Sequence, residues 1–128
     1  MDIKKITAAD APKPVGPYSQ AILAGKFVLC SGQIGINPKT GTLVEGGVEN
    51  ETDQTMKNIT AILSEAGAGL EDVVKTEIYL SDINDYKKFN DVYSKYFNTD
   101  PQPARQTAGV SALPKGAKVE ISCTAYLD

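Results

Sequence analysis

Helical periodicity occupies only two stretches of this 128-residue chain, and that restricts the fold more than any other feature. From Glu51 to Ala66, Met56, Ile59, Leu63 and Ala66 recur at i, i+3, i+7 and i+10, with Ile62 beside them. Asn50 or Thr52 suits the N-cap, Glu51 and Asp53 suit the positive end of the dipole, and Gly67 ends the helix. A second helix, about Asn84 to Phe97, places Tyr86, Phe89, Tyr93 and Phe97 on one stripe, read as core, with Asp82 or Asn84 as caps. The remaining apolar segments have strand character. Residues 4–7 form a short first strand, and 18–25 and 26–35 join in a tight hairpin at Ala24-Gly25-Lys26. Residues 37–47 read as loop, punctuated by Asn-Pro and Thr-Gly. Residues 72–82 form a strand with Val74, Thr76, Ile78 and Leu80 on one side. Two final strands, Arg105–Ala112 and Ala117–Leu127, read as a hairpin around Leu113-Pro114-Lys115-Gly116. The order is that of an α+β sandwich in a single domain, 1–128.

Two helices cover only one face of such a sheet. In the last strand, Val119, Ile121, Cys123, Ala125 and Leu127 point one way, toward the helices, while Lys118, Glu120, Ser122, Thr124 and Tyr126 point the other. The second face, read as small and polar, either meets water or packs against another subunit, and the oligomer is the favoured reading. Cys30 and Cys123 are too few for a disulfide or metal framework and read as buried thiols. The net charge of −3 and absence of a basic stripe argue against nucleic-acid binding. No signal peptide and no apolar run of about 18 residues is visible, so a cytoplasmic location with no membrane partner is expected.

Against that background, the single arginine, Arg105, and one glutamate inside an apolar strand, Glu120, stand out. With a loop of 113–116, Ala112 pairs with Ala117 and Gly109 lies opposite Glu120, so Arg105, Thr107, Gly109 and Ser111 share the face of Glu120. Arg105 and Glu120 are then roughly 13 Å apart, too far for an ion pair within one hairpin. An arginine grips a carboxylate through two parallel hydrogen bonds, and a glutamate holds a water and passes a proton. A small carboxylic acid held between them is one reading. The other is that Arg105 pairs with a surface acid and Glu120 is solvated. Tyr18, after Gly16-Pro17, reads either as a cleft residue or as a half-buried packing residue.

"VGPYSQA" at 15–21, "CSGQIGINPKTG" at 30–41, "PAR" at 103–105 and "LPKGAKVEI" at 113–121 occur in order along the chain. Together they resemble the RidA/YjgF family of reactive-intermediate (enamine/imine) deaminases, from Ile6 to Leu127. The resemblance implies a chorismate-mutase-like fold, a six-stranded, mostly antiparallel sheet with two helices on one face, assembled as a homotrimer with intersubunit clefts. It implies hydrolysis of 2-enamino or 2-imino acids, such as 2-aminoacrylate, to 2-keto acids and ammonia, as in 2-iminobutanoate/2-iminopropanoate deaminases, with no cofactor and no metal. It places Arg105 on the substrate carboxylate and Glu120 on the water, with Tyr18, Ser31, Gly32, Asn90 and Thr107 lining the cleft. Many family members have Cys where this chain has Thr107, which leaves only the backbone there to meet a ligand. Two other functions are weighed beside the deaminase: a non-catalytic sensor of 2-keto acids that uses Arg105 but not Glu120, and an endoribonuclease or translation inhibitor. The absence of histidine weighs against the last.

Overall fold

The computed structural model describes residues 2–128. Its strands are β1 (Ile3–Ile6), β2 (Ala21–Ala24), β3 (Phe27–Gln33), β4 (Ile36–Asn37) and β5 (Thr42–Leu43), followed by helix α1 (Gly47–Glu65). Strand β6 (Val73–Leu80), helix α2 (Tyr86–Tyr96), β7 (Ala104–Gly109) and β8 (Val119–Tyr126) complete the chain. Six strands form one sheet in the order β1-β2-β3-β8-β6-β7, and β4 and β5 pair separately. Every pair in the large sheet is antiparallel except β6 with β7. Met56, Ile59, Ile62 and Leu63 of α1 and Phe89, Tyr93 and Phe97 at α2 are buried against Val28, Ile78, Leu80, Val119, Ile121 and Ala125 of the sheet.

The expected hairpin between the last two strands does not exist. Strand β6 lies between them, with Tyr79 opposite both Ala108 and Glu120. The reason is burial. Val119, Ile121, Cys123 and Ala125 give β8 four buried apolar side chains on one face, so it takes a central place between β3 and β6. Strand β7, Ala-Arg-Gln-Thr-Ala-Gly, has little to bury and goes to the edge. A helix between β6 and β7 brings β7 back beside β6 in the parallel sense, as crossover connections do. Gly109 therefore does not face Glu120, and no Ala112–Ala117 pair forms.

Smaller differences have local causes. Helix α1 begins four residues earlier than expected, after Gly46 and Gly47 turn the chain at φ +112° and +85°. Asn50 and Thr52 lie inside it; the Asn50 amide donates back to the Glu45 carbonyl at 2.9 Å. Gly67, at φ +81°, follows the helix as expected. Asp82 caps a 3-10 turn, accepting from Asn84 N at 3.0 Å, and α2 proper starts at Tyr86. A bulge between Val73 and Lys75 turns Val74 outward and gives its core place to Val73. Within 37–47, Thr42–Leu43 returns to pair with Ile36–Asn37. The sheet face away from the helices is less polar than expected, since Phe27, Leu29 and Tyr126 are exposed on it and the Phe27 and Tyr126 rings meet edge-on at 5.1 Å. Cys30 and Cys123 are buried cross-strand neighbours on the helix side, and the adjacent sulfur together with burial pushes the Cys30 thiol well up.

Candidate functional site

Glu120 lies on β8 with its side chain on the face away from the helices, flanked in register by Tyr79. Its carboxylate is half-buried, no cation pairs with it among the described residues, and burial raises its pKa from the ordinary glutamate value. Beside it, β3 has a register shift between Cys30 and Gln33. That bulge brings Gly32 so near that a Cβ there would stand 2.9 Å from the Glu120 carboxyl carbon. A side chain at 32 would displace the carboxylate, which accounts for the glycine. Ser31 is fixed from both ends: its N–H donates to the Gln20 carbonyl at 2.9 Å and its hydroxyl to the Ser19 carbonyl at 2.6 Å. Tyr18 follows the Gly16-Pro17 turn, is exposed, and accepts from Val15 N at 3.4 Å. Tyr18, Ser31, Gly32, Ile34, Lys115 and Glu120 border a cleft of about 380 Å³.

The wall of this cleft is built by one buried side chain. The Gln20 amide oxygen accepts from Ala8 N at 2.6 Å, and its nitrogen donates to the carbonyls of Ala8, Ala11 and Pro12 at 3.2, 3.5 and 2.8 Å. Gln20 thereby pins the irregular segment that carries Pro12 and Lys13 into the cleft. Behind the cleft, Asn58 of α1 donates to the carbonyls of Ile34 and Ile36, and the buried Glu51 accepts from Lys118 N at 2.7 Å. Burial pushes the Glu51 carboxyl up in pKa, partly offset by that amide and by the Lys118 charge.

Arg105 is elsewhere. It pairs in register with Thr76, whose side chain is buried under α2, so Arg105 and Glu120 are on opposite faces of the sheet. The expected shared face is thereby corrected: one chain does not bring the two residues together. The arginine rests on α2, with Nη1 donating to Asn90 Oδ1 at 2.9 Å and Nη2 to the Tyr86 hydroxyl at 2.7 Å. Its guanidinium carbon lies 5.0, 5.5 and 5.7 Å from the ring centres of Tyr93, Tyr86 and Phe89. Among the described residues the ion pairs are Lys57–Asp53 and Lys87–Asp91, so Arg105 has no carboxylate partner. The surface-acid alternative is thereby replaced by neutral partners. Thr107, two residues along on the same side, has a buried hydroxyl with no hydrogen-bond partner among the described residues. A second cleft of about 330 Å³ opens here, bordered by Asn90, Tyr93, Phe97, Pro103 and Arg105.

The candidate residues therefore fall into two groups in one chain: Tyr18, Ser31, Gly32 and Glu120 on one side, Asn90, Arg105 and Thr107 on the other. The sequence reading missed Tyr86, assigned to the core yet 42% exposed, although its i, i+4 spacing from Asn90 was a usable signal. It also missed Gln20, which carries no sequence signal beyond its motif. Among the described residues no group of three or more His, Cys, Asp and Glu side chains is placed to hold a metal ion, and no helix is long and apolar enough to cross a membrane.

Comparison with known proteins agrees with this architecture. The family model described as Endoribonuclease L-PSP matches residues 8–127. A RutC family protein of Pyrococcus abyssi is 52% identical over 116 residues, 91% of each chain. The human 2-iminobutanoate/2-iminopropanoate deaminase is 47% identical over 120 residues, covering 94% of this chain and 87% of its own. The crystal structure of RidA from an Antarctic Psychrobacter superposes with a TM-score of 0.93 at 41% identity, covering 97% of this chain and 99% of that one. A match along nearly the whole chain, with sequence and fold in agreement, identifies it: this protein belongs to the endoribonuclease L-PSP family, the YjgF/RidA family.

Proposed function

We propose that the protein hydrolyses 2-imino and 2-enamino acids to 2-keto acids and ammonia, in clefts between copies of a homotrimer. The observation that carries this is the separation just described. An arginine without an acid and a glutamate without a base lie on opposite faces, each beside an open half-cleft. A second copy that brings its Arg105 half against the Glu120 half makes one complete site. Strand β7, which bears Arg105, is one of the sheet's two edge strands and has backbone groups available for such a contact. The exposed Phe27, Leu29 and Tyr126 supply apolar area to bury with it.

The chemistry follows from the residues. Arg105, whose neutral partners leave three N–H groups free, holds the substrate carboxylate. C2 of the iminium is already electrophilic. The Glu120 carboxylate, its pKa raised by burial, takes a proton from a water whose oxygen adds to C2. Glu120 then gives that proton to the nitrogen of the resulting carbinolamine; as the C–N bond breaks and ammonia leaves, the carboxylate takes the proton of the C2 hydroxyl, whose oxygen becomes the keto group. Gly32 and the anchored Ser31 give the substrate backbone-close packing beside the carboxylate. The names of the human, bovine and plant relatives, all deaminases, support the same reading.

The family label also names an endoribonuclease. This chain contains no histidine and carries a net charge of −3, so neither the usual proton-shuttling side chain nor a phosphate-binding surface favours RNA. A 2-keto acid sensor would use Arg105 and leave Glu120 idle; the unpaired, desolvated carboxylate in the cleft favours the enzyme. The test is a coupled assay in which an amino-acid oxidase generates an imine in situ and loss of the imine is followed. Protein-dependent acceleration is expected, and imine decay at the uncatalysed rate would overturn the proposal.

A further inference from the structure

We infer that Tyr86 is a second ligand for the substrate carboxylate, a role that rests on the deaminase reading and extends it by one residue. The aromatic stripe of α2 is not used uniformly. Phe89, Tyr93 and Phe97 are buried, at 0, 6 and 2% exposure, whereas Tyr86 at the helix start is 42% exposed. Its ring lies beside the guanidinium, with 5.5 Å from ring centre to Arg105 Cζ. Its oxygen accepts from Arg105 Nη2 at 2.7 Å. An arginine only donates, so the phenol acts there as acceptor and its own proton is left over. That O–H has no acceptor among the described residues, and it stands next to the free N–H groups of the same guanidinium.

The arrangement suits a carboxylate and little else. Asn90 holds Nη1 and Tyr86 holds Nη2, so the planar fork cannot rotate about its axis. Tyr93, stacked at 5.0 Å and hydrogen-bonded to Thr76 at 2.8 Å, blocks movement toward the core. A carboxylate brought to the fork receives charged N–H donors from Arg105 and one neutral O–H donor from Tyr86. It meets no competing acid. The phenol thus both orients the guanidinium and contacts the ligand, and the two roles separate experimentally.

Tyr86→Phe removes the hydroxyl and keeps the ring over the guanidinium; Tyr86→Ala removes both. Binding of 2-oxobutanoate is measured by calorimetry, and KM and kcat are measured for the imine generated in situ. For Tyr86→Phe, Kd and KM are expected to rise three- to tenfold with kcat within twofold, and for Tyr86→Ala the loss of binding is larger. Because the side chain is exposed, both variants are expected to fold, which a thermal melt verifies. Keto-acid affinity unchanged in Tyr86→Phe, with the parent protein active, would overturn the ligand role alone. A fall in kcat at constant KM would also overturn it, since the hydroxyl would then act in the chemical step. A parent protein that neither binds the keto acid nor accelerates imine loss would overturn the deaminase reading itself, and this inference with it.

Discussion

Arg105 is the chain's single arginine, and its surroundings explain why lysine would not serve. Three ring centres lie 5.0 to 5.7 Å from the guanidinium carbon and two oxygens accept from its two terminal nitrogens, a geometry a compact ammonium cannot fill. Arg105→Ala is therefore expected to weaken 2-keto acid binding at least tenfold, since each charge-assisted bond contributes about 1.5–3 kcal/mol. Arg105→Lys should recover little of it in the same calorimetric titration. Glu120→Gln keeps shape but not basicity: keto-acid binding should stay within a few-fold while imine turnover falls by about 10² or more. The acid limb of the pH–rate profile should lie above the ordinary glutamate range and vanish in Glu120→Gln, because the working form is the carboxylate and burial has raised its pKa. Linkage gives the opposite sign for stability. A carboxyl whose folded pKa is raised stabilises the fold below its unfolded pKa and loses that contribution as pH rises through the folded value. Glu120→Gln should thus melt at the same or a higher temperature than the parent at pH 7, and the gain should disappear in acid. Both residues were visible in the sequence because each is a charge where its neighbours are not. Of the Arg105 partners, Asn90 came only with the family resemblance and Tyr86 was missed, because both reach Arg105 across a helix–sheet contact that the residues around Arg105 do not encode.

At the scale of elements, local punctuation was legible and strand order was not. Gly25 at φ +61° makes the β2–β3 hairpin, and Gly67 ends α1, both as the sequence indicates. The last two strands misled because a short turn between strands ordinarily makes a hairpin. Here the connection passes over the end of β6 instead, tied to it by Val110 N to Leu80 O at 2.9 Å and Ser81 N to Lys118 O at 3.1 Å. Which strand sits in the middle depends on summed burial across the sheet, a global quantity. The same holds for the segment before β2, which has no regular structure and depends on Gln20. Removing that side chain leaves buried backbone groups at Ala8 and Ala11 without partners. Gln20→Ala is expected to cost about 2–4 kcal/mol in denaturant unfolding. It should also raise KM more than it lowers kcat, as the loosened segment 8–13 widens the cleft. Gln20→Glu, which can still accept from Ala8 N but cannot donate to the carbonyls, should recover only part of the loss.

For the whole molecule, the decisive geometry is that the sheet itself separates the two halves of the proposed site. No side-chain motion carries the Arg105 guanidinium through the sheet to the Glu120 face, so a complete site needs a second copy. A closed ring of three identical copies repeats one heterologous contact three times and leaves no half-site unused. Light scattering should therefore give three times the 13.6 kDa chain mass. A charge placed at Leu29, on the exposed sheet face, should dissociate the ring and abolish turnover while each chain stays folded. The sharper expectation concerns mixtures. Arg105→Ala and Glu120→Gln are each expected to be nearly inactive alone, but a mixed ring contains contacts where an intact arginine from one copy meets an intact glutamate from the next. Random assembly of equal amounts should form such contacts at about one interface in four, so about a quarter of the parent activity should return after co-refolding. A double variant carrying both substitutions in one chain, mixed with either single variant, restores no such contact and should stay inactive. If the mixed single variants also remain inactive after exchange is confirmed by mass spectrometry, the two residues do not act across an interface, and the shared site is ruled out whatever the oligomeric state.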